Sequence, residues 1–180
     1  MVRPGSETIV DVTATLFPRT DITEIGLGPL TSMNLLSPID PTRVSDFRPR
    51  VHDSDGLAIV NGRGERIWRP LRNPYLLQIS NFIDDEPKGF GLMQRHRAFS
   101  DYQDLEARYD LRPSAWIEPG QNFGKGSVML VEIPTDQEIH DNIVAFWRPQ
   151  APLLAGSEHT YSYRIRWRDD APARRNGPWV

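Results

Sequence analysis

Val51-His52-Asp53-Ser54-Asp55-Gly56-Leu57 sets a histidine and two carboxylates within four positions, with an apolar residue at each end. Such a set could supply N and O donors to a metal, an acid or base for catalysis, or the Asp side chains that close a turn on nearby backbone N–H groups. Successive strand side chains point to opposite faces, so all three converge on one ion only through a turn. No second His, Asp or Glu cluster stands at ligand spacing, and the further alternate acids and distal Glu of a Ca²⁺ loop are absent. Neither a metal nor another cofactor is expected. The turn accounts for all three polar residues, and an acid–base role stays open beside it.

Asp104 and Asp141 are further candidates. Asp141 stands just ahead of an apolar segment, where partial burial would raise its pKa and suit it to act as an acid; the alternative is that it ends the preceding helix. Trp68, Trp116, Trp147, Tyr102, Tyr109, Phe90 and Phe99 lie in or beside loops rich in Arg, Asp, Gln and Asn. Flat rings beside planar polar groups suit pyranose sugars, although each ring taken singly is more often core than platform. No G-x-S-x-G motif marks a nucleophilic serine. Gly26-Leu27-Gly28 and Gly89-Phe90-Gly91 are too short to cradle a phosphate.

The elements that must position these residues read as strands. Residues 8 to 17 alternate, and so do residues 160 to 168, where Tyr161, Tyr163, Ile165 and Trp167 share one face. Leu57 to Val60, Asn61-Gly62 and Glu65 to Trp68 predict a tight hairpin. Leu76 to Phe82, Ser127 to Ile133 and Asn142 to Trp147 are three more candidates. Two short helices are expected from capping-box spacings, Ser100 with Gln103 and Thr135 with Glu138. The 16 Pro and 13 Gly favour turns and sheets over a bundle. The fold class is therefore all-β, a large antiparallel sandwich with long loops. Arg148 to Pro152 reads as a linker, after which 148–180 would open a second domain distinct from 1–147.

The chain of 180 residues carries a net charge of −3 with its Lys and Arg scattered, so no nucleic-acid partner is expected. It has no cysteine and no apolar run of membrane-spanning length, so neither disulfides nor membrane insertion is expected. The opening MVRPGSETIVDV has no apolar signal-peptide core, so export would rely on a signal outside this chain.

Longer stretches resemble one family. Gly28-Pro29-Leu30-Thr31-Ser32-Met33, Arg48 to Leu57, Trp68-Arg69-Pro70-Leu71, Gly89 to Arg95, Tyr102-Gln103-Asp104, Arg112-Pro113-Ser114, Val131 to Thr135 and Asp141 to Trp147 follow in order the pattern of the OpgG/OpgD (MdoG/MdoD) periplasmic glucans biosynthesis proteins. The resemblance implies a galactose-mutarotase-like β-sandwich, here incomplete, followed by an Ig-like domain of which only the first strand would be present. It implies a periplasmic location, a β-glucan oligo- or polysaccharide partner and, in some members, inverting endo-β-1,2-glucanase activity. A non-catalytic glucan-binding or scaffold role is the alternative, and a homodimer is left open.

Carried over by motif, Asp141 matches the family's general acid, Asp53 its general base with Asp55 as the neighbouring alternative, and Tyr109 a tyrosine of the proton relay. Trp68, Arg69, Tyr102, Gln103, Asp104, Arg112 and Trp116 are the expected substrate contacts. One departure stands out. Where many relatives read Arg-Asp-Arg-Asp-Phe, this chain has Arg95-His96-Arg97-Ala98-Phe99, which replaces two acids and predicts the loss of a charged contact.

Overall fold

A computed structural model describes residues 2–40, 45–121 and 123–169. The strands are β1 (Val2–Arg3), β2 (Thr8–Leu16), β3 (Leu27–Ser32), β4 (Asn34–Leu36), β5 (Val51–His52), β6 (Gly56–Val60), β7 (Arg66–Pro70), β8 (Gln78–Asp84), β9 (Gly89–Met93), β10 (Ser114–Pro119), β11 (Gly126–Glu132), β12 (Ile143–Pro149) and β13 (His159–Arg168). A seven-stranded sheet runs β1-β2-β13-β10-β9-β6-β7, a four-stranded sheet runs β3-β12-β11-β8, and β4 and β5 form a small pair. Every pairing among the described residues is antiparallel.

The core lies between the two large sheets. Leu57, Ile59, Phe90, Leu92 and Ile117 come from one, and Leu30, Val128, Leu130, Ile143, Ala145 and Trp147 from the other. Trp147 is fully buried and donates Nε1–H to Phe123 O at 3.1 Å, so its polar end is satisfied where its ring fills the core. The expected hairpin forms between β6 and β7, with Gly56 opposite Pro70 and Val60 opposite Arg66, but residues 61–65 make a longer loop in which Gly64 (φ 88°), not Gly62, takes the left-handed conformation.

Three expectations change. Around Ser100 there is only a 3₁₀ turn, Phe99–Asp101; Gln103 then takes a left-handed conformation (φ 56°), which stops helix propagation. Asp104 instead caps a turn by accepting from Glu106 N (2.9 Å) and Ala107 N (2.7 Å). Near Thr135 the hydroxyl accepts from Gln137 N at 3.1 Å, but Glu138 is held by Arg48 and Tyr109, so no helix forms there. Finally, β13 does not open a separate unit at residue 148. It pairs with both β2 and β10, and its Tyr161 enters the main core. Its strict alternation belongs to an interior strand of the sandwich. The residues expected after Asp169 lie outside the described ones.

A satellite core of Met33, Leu35, Leu36, Val51, Tyr102 and Tyr109 sits at one end of the sandwich. It lies beneath the loops that carry the candidate residues.

Candidate functional site

Asp53 follows β5 directly, and its N–H donates to Met33 O at 2.9 Å. On the other side Asn34 N donates to Asn142 Oδ1 (2.8 Å), and Asn142 Nδ2 donates to Asn34 O (3.1 Å) and Ile133 O (3.0 Å). The short 33–34 segment thus fastens the Asp53 loop and the Asp141–Asn142 loop to each other. Buried Gln94 does the same for Tyr109: its Nε2 donates to His52 O at 3.0 Å and Tyr109 O at 3.1 Å.

The three residues expected to act together are brought to this one end. Asp53 is half-buried, and desolvation raises its pKa; Arg112, with Nε 3.1 Å from Asp53 Oδ1, pulls the other way, while the charges of Asp141 and Glu138 reinforce the rise. Burial likewise raises the Tyr109 phenol, with the charges of Glu138 and Asp53 adding to it. Asp141 is exposed at the mouth, beside buried Asn142.

Asp55 and His52 turn elsewhere. Asp55 Oδ2 accepts from the N–H groups of Arg95 and His96, and Oδ1 lies 2.7 Å from His96 Nδ1. Desolvation opposes ionisation, but His52, these amides and His96 together lower the Asp55 pKa. Arg50 Nη2 stands 3.2 Å from His96 Nε2. A guanidinium can only donate, so Nε2 accepts and Nδ1–H is the donor to Asp55. His96 is therefore tied to Asp55. His52 is fully buried and packs edge-on to Tyr102 with ring centroids 5.3 Å apart; desolvation lowers its pKa to about 4. Of the two candidate bases, Asp53 carries the raised pKa and lies within the electrostatic reach of Asp141 and Tyr109, whereas Asp55 is engaged in fixing the Arg95–His96 turn.

The expected sugar contacts divide. Arg112 and exposed Gln103 are at the site end with surface to offer. Asp104 is buried and bonds Arg48 Nη1 (2.5 Å) as well as its own turn. Tyr102 is fully buried, its hydroxyl on His96 O at 3.1 Å, so it is a wall of the satellite core. Arg69 faces Glu132, with Nη2 2.8 Å from Oε2, and pins the two sheets together. Glu132 is fully buried; desolvation raises its pKa, with Arg69 opposing.

Trp68 and Trp116 lie on the outer face of the seven-stranded sheet with Ala58 and Met93. The Trp116 ring rests on Gly89 and Gly91, where a Cβ would come within 2.3 Å and 2.8 Å of it. The Arg95 guanidinium covers Trp68 at 3.3 Å. Both rings are packed as sheet furniture, with Trp116 only 4% exposed. A separate cleft of about 480 Å³ lies at the opposite end of the sandwich, lined by Phe123, Lys125, Pro149, Leu153, His159 and Tyr161.

Arg48 and Glu138 were given no role at the site by the sequence, although both are central here. Arg48 Nη1 and Nη2 donate to Glu138 Oε1 (3.1 Å) and Oε2 (2.8 Å), and Nη2 to Asp46 Oδ2 (2.6 Å). Tyr109 donates its hydroxyl hydrogen to Glu138 Oε1. The signals were the Arg48 to Leu57 motif and the Thr135–Glu138 spacing, and the latter points to a helix cap. Among the described residues no group of three His, Cys, Asp or Glu is arranged to hold a metal. Nor is any helix among them long and apolar enough to cross a membrane.

A family model described as periplasmic glucan biosynthesis protein, MdoG, matches residues 1–180. Three similar relatives are each named glucans biosynthesis protein G. That of Vibrio cholerae serotype O1 is 59% identical over 92% of this chain and 30% of its own. That of Rhodopseudomonas palustris is 58% identical over 95% and 34%, and that of Shewanella baltica 57% over 96% and 32%. The chain thus spans about a third of the length of these relatives. With the match running from end to end, the chain belongs to the MdoG periplasmic glucan biosynthesis family.

Proposed function

We propose that the protein acts in the periplasm on the β-1,2-linked glucan backbone and hydrolyses it with inversion. The observation that carries this reading is the convergence of Asp53 and Asp141 from loops fastened to one segment, with the base candidate half-buried and Tyr109 beside it. Inversion needs one carboxylic acid and one carboxylate on opposite faces of the sugar ring. Asp141, exposed at the mouth, would give its proton to the leaving glycosidic oxygen as the bond to the anomeric carbon breaks. Water would form the new bond to that carbon, and its proton would go to Asp53 by way of the space Tyr109 borders. A desolvated carboxylate with a raised pKa is a stronger base than one held ionised by hydrogen bonds, which favours Asp53 over Asp55.

The test is the release of reducing ends from linear β-1,2-glucan by the full chain. Asp141→Asn and Asp53→Asn should each lower kcat by about 10² or more. Wild-type-like cleavage by either variant would remove that residue from the mechanism. The exposed Leu105, Leu111 and Ile139 around the site favour a second reading, a glucan-binding scaffold that also contacts another protein. Glucan binding without turnover by the wild type would select it.

A further inference from the structure

Glu138 has no part in the acid–base pair, yet its carboxylate accepts the Tyr109 hydroxyl hydrogen. The carboxylate is gripped at both oxygens by Arg48, at 3.1 Å and 2.8 Å. Arg48 is itself fixed by Asp46 and Asp104, so Glu138 cannot swing aside without breaking a network of four charged side chains. The bonds from Arg48, and then from Tyr109, outweigh desolvation and hold the Glu138 carboxyl below its usual range. It is an ionised, stationary acceptor.

A phenol has one hydrogen to give. With that hydrogen committed to Glu138, Tyr109 offers only oxygen lone pairs to its other neighbours. We infer that Glu138 is a positioning residue: it holds the Tyr109 hydroxyl as a hydrogen-bond acceptor for the attacking water, and it affects hydrolysis only through Tyr109. This rests on the hydrolytic reading above and sharpens the role of the tyrosine, which orients the water instead of passing on its own proton. One water hydrogen goes to the Tyr109 oxygen as a hydrogen bond; the other is the proton Asp53 takes. The charged partner also polarises the phenol and strengthens it as an acceptor.

The test compares Tyr109→Phe, Glu138→Gln and the double variant of the full chain, by initial rates on linear β-1,2-glucan and by ultraviolet titration of the tyrosines. Glu138→Gln should lower kcat by about tenfold to a hundredfold and change KM by less than about twofold. It should cost nothing further once Tyr109 is Phe. The tyrosine titration that is absent from Tyr109→Phe should move to lower pH in Glu138→Gln, because a negative neighbour has gone. Glu138→Asp, which keeps the charge, should hold that titration high and serves if Glu138→Gln does not fold. A Glu138→Gln loss that persists undiminished in Tyr109→Phe, or a Tyr109 titration that does not move, overturns the inference. Absence of cleavage by the wild type would sink the hydrolytic reading alone, and the titration would still decide whether Glu138 holds Tyr109.

Discussion

Asn142 pairs with the backbone of Asn34 as a strand would: its Oδ1 accepts from Asn34 N at 2.8 Å and its Nδ2 donates to Asn34 O at 3.1 Å. The residue next to Asp141 is thereby fastened to the segment whose Met33 O receives the Asp53 N–H. Asn142→Ala strips buried backbone groups of their partners. It should cost about 1–3 kcal/mol in urea unfolding and lower glucan turnover through misplacement of Asp141. Asn142→Ala with unchanged stability and rate would show that the side chain holds nothing.

Arg69 and Glu132 make a comparable argument for the sheets. Glu132 is fully buried, and Arg69 is its ion-pair partner at 2.8 Å. Arg69→Met leaves the buried carboxylate without its ion-pair partner and with only the Arg72 N–H on Oε1 at 2.7 Å, so the expected loss is about 3 kcal/mol. Arg69→Met/Glu132→Leu should recover much of it. A double variant as unstable as the sum of the singles would mean that the pair acts through packing alone.

The sandwich could be read from the sequence because its signal is local. Alternation in residues 8 to 17 and 160 to 168 records which face of each strand is buried, and the glycines of Asn61-Gly62-Arg63-Gly64 mark a turn closed by Gly64 N on Asn61 O at 2.9 Å. The failures have local causes too. The Ser100 and Thr135 spacings satisfy a capping box, but Gln103 takes a left-handed conformation, and Glu138 binds Arg48 at 90 positions' distance. Strand β13 looked detached because the proline-containing segment before it resembles a linker, and sequence carries no mark of its pairing with β2, some 150 residues earlier. Trp68 and Trp116 could not be told from sugar platforms, since only the sheet shows the glycines and arginine that cover them. The Asp53–Tyr109–Asp141 grouping came from the motif resemblance; spacing alone left Asp53 as a turn residue.

His52 should leave a signature in acid. Its folded-state pKa of about 4 lies below the ordinary 6.5, so the unfolded chain binds a proton that the folded chain refuses. Stability is unaffected above pH 6.5 and falls as pH drops from 6.5 toward 4. In His52→Gln the fall across that window should be shallower, as urea midpoints at several pH values will show. Equal slopes would mean that the folded protein accepts the proton.

Asp53 carries the opposite sign. Its raised pKa means that ionisation opposes folding at neutral pH, and the penalty disappears as pH falls through the folded pKa toward the unfolded one. Asp53→Asn should therefore melt higher than the wild type at pH 7, with the difference shrinking in acid. Arg112→Gln removes the charge that pulls this pKa down, so the acidic limb of kcat/KM should move to higher pH. An unmoved limb would take Asp53 out of the role of base.

The anomeric configuration of the first product tests the account at its centre. Proton NMR of linear β-1,2-glucan during the first minutes of cleavage distinguishes new α from new β reducing ends before mutarotation mixes them. An acid at Asp141 and a water-activating base at Asp53 predict that the α-anomer appears first, by inversion. First release of the β-anomer would require a covalent or retaining route and would contradict the pairing of these two residues.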